Sequence, residues 1–358
     1  MRSALPAVLS LLLLAVAGCS VAGTSAIRNG RAAYNEAIIA TNSEQILAQI
    51  VRMRYLEPSG LLAVASITAN VRIQTNVGAE FGVGPESNYS GNLVPLRAGA
   101  LFEENPTISY TPVEGQQYLR QMLTPLPMDL AVPLLSALGD SPAVMTFLVK
   151  EVNGTRNPLF SDPSAPDEEH RFAEIADLFA SLHRRGLLLW TEMAGDEAPF
   201  GVLMRHNGAG ASQDIARLYD LLGLDPPREI GTLDTLPVVF GVGALEANVI
   251  ELLPRSAFDL LRVAADSVDV PPEHLESGLA SPLPHGGPNT DQIRIRRSAD
   301  RPSGALVAFR HHGWWFWIDG TDGRSKATFR LLEAIMTARI GDTVTNSKMP
   351  VLTVPVSR

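Results

Sequence analysis

The chain has 358 residues, 46% apolar and 19% charged, and its 29 Lys and Arg against 38 Asp and Glu give a formal net charge of −9. That balance fits a folded chain of one large or two ordinary domains and excludes disorder; the net acidity, without a long basic run, argues against a nucleic-acid partner. The single cysteine excludes an intrachain disulfide and any cysteine-rich zinc site.

The N-terminus opens with Met1-Arg2-Ser3, followed by a mostly apolar run from Ala4 to Ala17 that contains Leu11-Leu12-Leu13-Leu14. One positive charge, a short apolar stretch and small residues at its end predict a secretory signal over 1–18. The run is shorter than the roughly 20 apolar residues of a spanning helix, and no later stretch reaches that length. The sole cysteine closes this segment in Val16-Ala17-Gly18-Cys19. The four residues resemble the lipobox of bacterial lipoproteins, an aliphatic residue and two small ones before Cys. The resemblance implies a thioether-linked diacylglycerol on Cys19, cleavage before it, and acylation (palmitate) of the new amine. With Ser20 rather than Asp after the cysteine, it further implies the outer membrane, facing the periplasm. The inner membrane and the cell surface are the alternatives.

A lipidated tether over 19–27 precedes the fold. Tyr34, Ala37 and Ile38 share a helical face, Thr41 and Glu44 have capping-box spacing that predicts a restart, and Ile46, Leu47, Ile50 and Val51 form a stripe that ends before Pro58. Val71, Ile73, Thr75 and Val77 alternate with polar residues as a half-buried strand, and 78–99 reads as hairpin or loop. Thr107–Tyr110 is a short strand; Thr111-Pro112-Val113-Glu114 predicts a helix start, with its end near Leu123. Ser141-Pro142 opens another helix whose face is Val144, Phe147, Leu148 and Val152, closed by Asn153-Gly154.

The proline-rich stretch 155–167 is the predicted linker between an N-terminal helical and β region (28–154) and a C-terminal α+β domain (168–358). Phe172, Ile175, Leu178, Phe179 and Leu182 mark a helix capped at Gly186. Strands are expected at 187–192, 200–205, 236–242 and 249–253, with one helix after Ser212 and another begun by Ser256 and Asp259. Segments 292–296, 305–311 and 313–319 read as an antiparallel meander. Ser325 is the predicted cap of a last helix bearing Phe329, Leu332, Ile335 and Met336, and 351–356 is a final strand. The absence of a βαβ rhythm predicts α+β with a mainly antiparallel sheet and packed helices.

Few local patterns carry chemistry. H-E-x-x-H, G-x-S-x-G, S-x-x-K and P-loop motifs are absent. Gly241-Val242-Gly243 lacks the third glycine of a dinucleotide turn. His311-His312 is the one close histidine pair, and neighbours on a strand point to opposite faces, so the pair alone predicts no metal site. His206 or His285 could approach it from elsewhere in the chain, which the sequence does not show. Asp319-Gly320-Thr321-Asp322-Gly323 lacks EF-hand spacing and reads as a turn with a helix cap. Glu273-His274 with Glu276 reads as solvated charge on a short helix rather than an acid–base pair. Trp314-Trp315-Phe316-Trp317 holds three of the four tryptophans. Trp315 and Trp317 share one strand face, and with Arg310 they form the candidate partner- or ligand-binding surface.

Several longer segments also resemble a family of uncharacterised bacterial lipoproteins. They include Val51-Arg52-Met53-Arg54-Tyr55, Pro106-Thr107-Ile108-Ser109-Tyr110-Thr111-Pro112, Leu123-Thr124-Pro125-Leu126-Pro127, Val270-Pro271-Pro272-Glu273-His274 and Trp315-Phe316-Trp317-Ile318-Asp319. The resemblance carries no activity and no site residue. The expected function is that of a non-enzymatic envelope lipoprotein, without cofactor. It would be held to the bilayer through acylated Cys19 and would scaffold or bind an envelope protein partner. One alternative is an envelope hydrolase with a site assembled from distant residues. The other is a small-ligand-binding lipoprotein, marked by an apolar cavity with a few polar groups.

Overall fold

The computed structural model describes residues 32, 34–58, 60–68, 71–79, 96–104, 107–113, 116–157, 166–193, 199–206, 209–225, 233–241, 248–283, 292–346 and 352–355. The predicted signal over 1–18, Cys19 and the tether lie outside the described residues. The architecture is α+β, as the sequence predicts, and it forms two compact units. One comprises the chain up to Ser59 together with Gly115–Arg339, the other Gly60–Glu114 with Ile340–Arg358. Among the described residues, no helix is long and apolar enough to cross a membrane.

The smaller unit is read from its backbone. β1 (Leu61–Thr68), β4 (Thr107–Val113) and β14 (Leu352–Pro355) form an antiparallel sheet with β4 in the centre. β2 (Val71–Ala79) pairs with β3 (Leu96–Glu104), antiparallel from Val71↔Glu104 to Ala79↔Leu96. The helix expected from Thr111 begins later: β4 runs to Val113, and α2 spans Gln116–Leu123. Pairing with Leu61–Ala63 of β1 holds Thr111–Val113 extended despite the local capping pattern, while β14 pairs with the preceding Thr107–Tyr110.

The larger unit starts with α1 (34–54), which places Ile46, Leu47, Ile50 and Val51 in the core. It does not restart at Thr41. That hydroxyl donates to the carbonyls of Ala37 and Ile38, so the residue sits mid-helix instead of capping. After α3 (Met128–Leu138), α4 (Pro142–Leu148) stops four residues short of Val152, because Val149–Val152 is β5. β-branched Val149 and Val152 are fully buried there, and pairing with the central strand takes the segment from the helix. Asn153 and Gly154, at φ 42° and 76°, turn β5 into β6 (Thr155–Arg156). The expected linker thus begins inside a hairpin of this unit; residues 158–165 lie outside the described ones.

The main sheet has the order β6-β5-β10-β9-β8-β7, where β7 is Leu188–Glu192, β8 Phe200–Arg205, β9 Leu233–Phe240 and β10 Ile250–Pro254. Only the β9–β10 pair is parallel. Central β10 buries Ile250, Glu251 and Leu252 in succession, so it lacks the alternation of a one-sided strand. α5 (Pro166–Arg184) packs on α4 and on α6 (Ala209–Leu222) through its Phe172, Ile175, Phe179 and Leu182 stripe, and Gly186 at φ 65° ends it as predicted.

α7 (Ala257–Ala265) begins with a complete capping box: the Asp259 N–H donates to Ser256 Oγ at 3.0 Å, and the Ser256 N–H donates to Asp259 Oδ2 at 3.2 Å. Ser256→Ala is expected to cost about 1 kcal/mol of unfolding free energy and Ser256→Gly only a few tenths. Denaturant melts that reverse this order would remove the cap as the source of the effect.

The last sheet is not a meander. Its order is β11-β13-β12, with β11 at Arg296–Ser298, β12 at Ala305–His311 and β13 at Trp314–Asp319. β13 takes the centre, paired with β11 on one edge and β12 on the other, and its Phe316 and Ile318 are fully buried. α9 (Gly323–Asn346) is capped by Asp322 rather than Ser325. Asp322 Oδ1 accepts from the Ser325 N–H at 3.1 Å, and the Ser325 hydroxyl, already inside the first turn, donates to Oδ2 at 2.8 Å.

Candidate functional site

A cleft of about 860 Å³ opens among α3, α4, α5 and the N-terminal half of α9, and all its lining residues belong to the larger unit. It exists because α4 and α9 carry apolar or small residues beyond their core stripes. α9 buries Phe329, Leu332, Ile335 and Met336 completely, and turns Ala327, Leu331 and Ala334 toward the cleft. α4 buries Met145, Phe147 and Leu148, and Ala143 and Val144 line the opening. Leu134 and Leu138 of α3 complete the apolar wall. Alanines on two facing helices leave a gap that longer side chains would fill.

Ser141, Thr146 and Thr328 add hydroxyls to the lining, and Asp177, Gln292, Arg324 and Arg330 add longer polar side chains. Asp177, Arg324 and Arg330 are exposed, and the Arg330 guanidinium donates to Glu333 at 2.7 Å. Gln292 Oε1 is buried in the wall with no hydrogen-bond partner. A buried acceptor without a donor costs free energy, and a ligand hydroxyl or amide N–H would recover it. The volume lies within the usual range for small-molecule sites, about 300–1,000 Å³, and apolar walls with a few polar groups are what such sites share.

The aromatic candidates fall elsewhere. On β13, Phe316 and Ile318 face the core and Trp315 and Trp317 face the other way, both half-buried. Arginines cover these indoles: Arg301 lies 5.4 Å from the Trp315 ring centroid and Arg296 lies 5.5 Å from that of Trp317. Arg310 is exposed opposite Trp315 across the β12–β13 ladder. The surface is thus a layer of guanidinium over indole, in which cation–π contacts take up much of the aromatic faces.

The predicted turn at Asp319–Gly323 does serve as a turn and helix cap, with Asp319 Oδ1 accepting from the Thr321 N–H and hydroxyl. Of the Gly241 turn, only Gly241 is a described residue. His285 lies outside the described residues, and His206 does not join the histidine pair, because its Nε2 lies 3.1 Å from Asp234 Oδ2.

The histidine pair departs from its expected geometry. His311 ends β12, but His312 takes φ 45° and Gly313 φ 86°, the two-residue turn into β13. That left-handed residue swings the second ring round, and the two imidazole centroids come within 4.2 Å instead of pointing to opposite faces. Glu57 meets both: His312 Nε2 donates to Oε1 at 2.6 Å, and His311 Nε2 lies 3.1 Å from Oε2. His274 is not a solvated charge either. It is buried on the short helix α8 (Pro272–Glu276), and its Nδ1 lies 2.7 Å from the Tyr55 hydroxyl, which it meets as acceptor. Burial pushes the Tyr55 phenol up to about 12, and burial, followed by repulsion from His312, holds His274 below its ordinary value. Phenol donor and neutral imidazole acceptor are therefore the matched pair. Sequence reading noted His311 and His312 but not Glu57 or Tyr55, whose partners lie more than two hundred residues away.

No protein-family model, curated protein or solved structure matches this chain.

Proposed function

We propose that this chain is a lipid-anchored protein of the bacterial envelope that acts by binding, and that its ligand is a small, mostly apolar molecule held in the cleft among α3, α4, α5 and α9. The observation that carries the reading is the cleft itself: about 860 Å³ with apolar walls and one unpartnered buried acceptor at Gln292. Of the two forms of binding expected from sequence, the small-ligand form has the stronger support. An envelope protein partner would use the Arg310, Trp315 and Trp317 face, where guanidinium groups already lie over the indoles. Location rests on the lipobox resemblance at Cys19.

Apolar volume of this kind is filled favourably at about 25 cal/mol per Å² of surface withdrawn from water. A polarity-sensitive fluorescent fatty-acid probe is therefore expected to bind the purified protein at one site and to be displaced by unlabelled fatty acid. Ala334→Trp, which puts an indole into the cleft, is expected to abolish that binding. Ala137→Trp, exposed on α3 and outside the cleft lining, leaves it intact. Equal binding by wild type and Ala334→Trp would refute the assignment of the cleft.

A further inference from the structure

The end of α1 and the tip of the β12–β13 hairpin meet at Glu57, His311 and His312. The nitrogen and oxygen donors of these three residues all lie within 4.8 Å of one another. Each segment is bent into place by a non-glycine residue with left-handed backbone. Leu56, at φ 58°, stands where a helix usually ends in glycine; its N–H donates to the Met53 carbonyl, and the Glu57 N–H donates to that of Arg52. His312 does the same in the hairpin turn. Such conformations cost on the order of 1 kcal/mol or more, and they concentrate where a site requires them.

Both Nε2 atoms face the one carboxylate, each toward a different oxygen. His311 Nε2 is buried and lies 3.1 Å from Oε2, its one close polar contact, without a well-formed hydrogen bond. Donors held about 2.0–2.2 Å from one tetrahedral ion sit about 3.3 Å apart, close to the 3.1 Å found here between nitrogen and oxygen. Glu57 and His312 are each about one-third exposed, at 33% and 34%, so an ion could enter and keep open positions for water. A carboxylate and neutral imidazoles are the forms in which these side chains ligate a metal.

We propose that Glu57, His311 and His312 form a binding site for a late first-row divalent transition-metal ion of the zinc type, which joins the end of α1 to the β12–β13 hairpin. Two imidazoles and a carboxylate with open positions are a donor set that favours such ions over calcium or magnesium, which prefer oxygen donors throughout. Tyr55 stands behind the site with its ring edge-on to His311, the centroids 5.1 Å apart. The site is separate from the cleft and does not depend on what the cleft binds.

The test uses tag-free, metal-stripped full-length protein in detergent, titrated with Zn²⁺ against a chromophoric chelator. One equivalent is expected to bind, and Glu57→Gln and His311→Gln each to weaken binding at least about tenfold. His170→Gln, on the exposed side of α5, is expected to bind as wild type does. Thermal unfolding guards against misfolded variants. In chelator, the variants melt cooperatively; on addition of Zn²⁺ the wild-type melting temperature rises and theirs does not. Absence of stoichiometric binding by wild type overturns the proposal, as does equal affinity in the Glu57 and His311 variants.

Discussion

Changing Cys19 to serine is expected to move the protein from the membrane fraction to the soluble one, and to stop maturation at the full-length precursor. The size of the effect follows from the anchor's chemistry. Each buried methylene of an acyl chain contributes about 0.8 kcal/mol of membrane affinity, so three chains hold a protein firmly where one would let it exchange. Among the described residues, no helix is long and apolar enough to cross a membrane in their place. Serine lacks the thiolate that accepts diacylglycerol, and the lipoprotein peptidase acts only after that transfer. Radiolabelled palmitate incorporation, fractionation and precursor size check the result together. Globomycin on wild type is expected to reproduce the precursor, though still lipid-modified. A Cys19→Ser protein processed normally and retained in the envelope would remove the lipoprotein reading.

Phe316→Ala is expected to lower unfolding free energy by about 3–5 kcal/mol, the range for emptying an aromatic site in a packed core. Phe316 is fully buried at the centre of the last sheet. Its ring meets that of Tyr55 edge-on at 6.0 Å and 77°, so the substitution also removes an aromatic pair that contributes about 0.5–1.5 kcal/mol. Trp315→Ala, one residue away on the opposite face, is expected to cost less than half as much. The larger indole is only half-buried, and its cover is the exposed Arg301. Denaturant unfolding of the two variants measures the difference. A larger loss for Trp315 would mean that the arginine-covered face, rather than the Phe316 face, stabilises this sheet.

The contrast between those neighbours shows what sequence can carry. Strand alternation separates Trp315 and Trp317 from Phe316 without any knowledge of the fold. It cannot tell that Arg301 and Arg296 lie over the indoles, since those side chains arrive from β11 and the loop after it. Helices with a strong stripe were readable, as Phe172 to Leu182 in α5 illustrates. Boundaries differ where a distant strand competes: Val149–Val152 fits the helical stripe of α4 but pairs with β10, and Thr111–Val113 looks like a cap but pairs with β1 as the end of β4. β3 was hidden because Leu96–Glu104 mixes Gly and Ala with charged residues, and its strand form comes from pairing with β2.

The candidate sites follow the same logic. The resemblance to a lipobox is local and rests on the four residues Val16–Cys19. The cleft is assembled from faces of four helices, with only the small residues Ala327 and Ala334 beside the α9 core stripe as an advance sign. The histidine cluster depends on a left-handed His312 that no strand rule anticipates, and on Glu57, 255 residues before it.

The most direct test of the account is native mass spectrometry of the protein gently extracted from its own membranes. The account predicts wild-type protein carrying one small apolar molecule per chain, lost from Ala334→Trp and recovered in the organic extract of wild type alone. Equal occupancy in both proteins, or none in either while the variant still binds the fatty-acid probe, would contradict it.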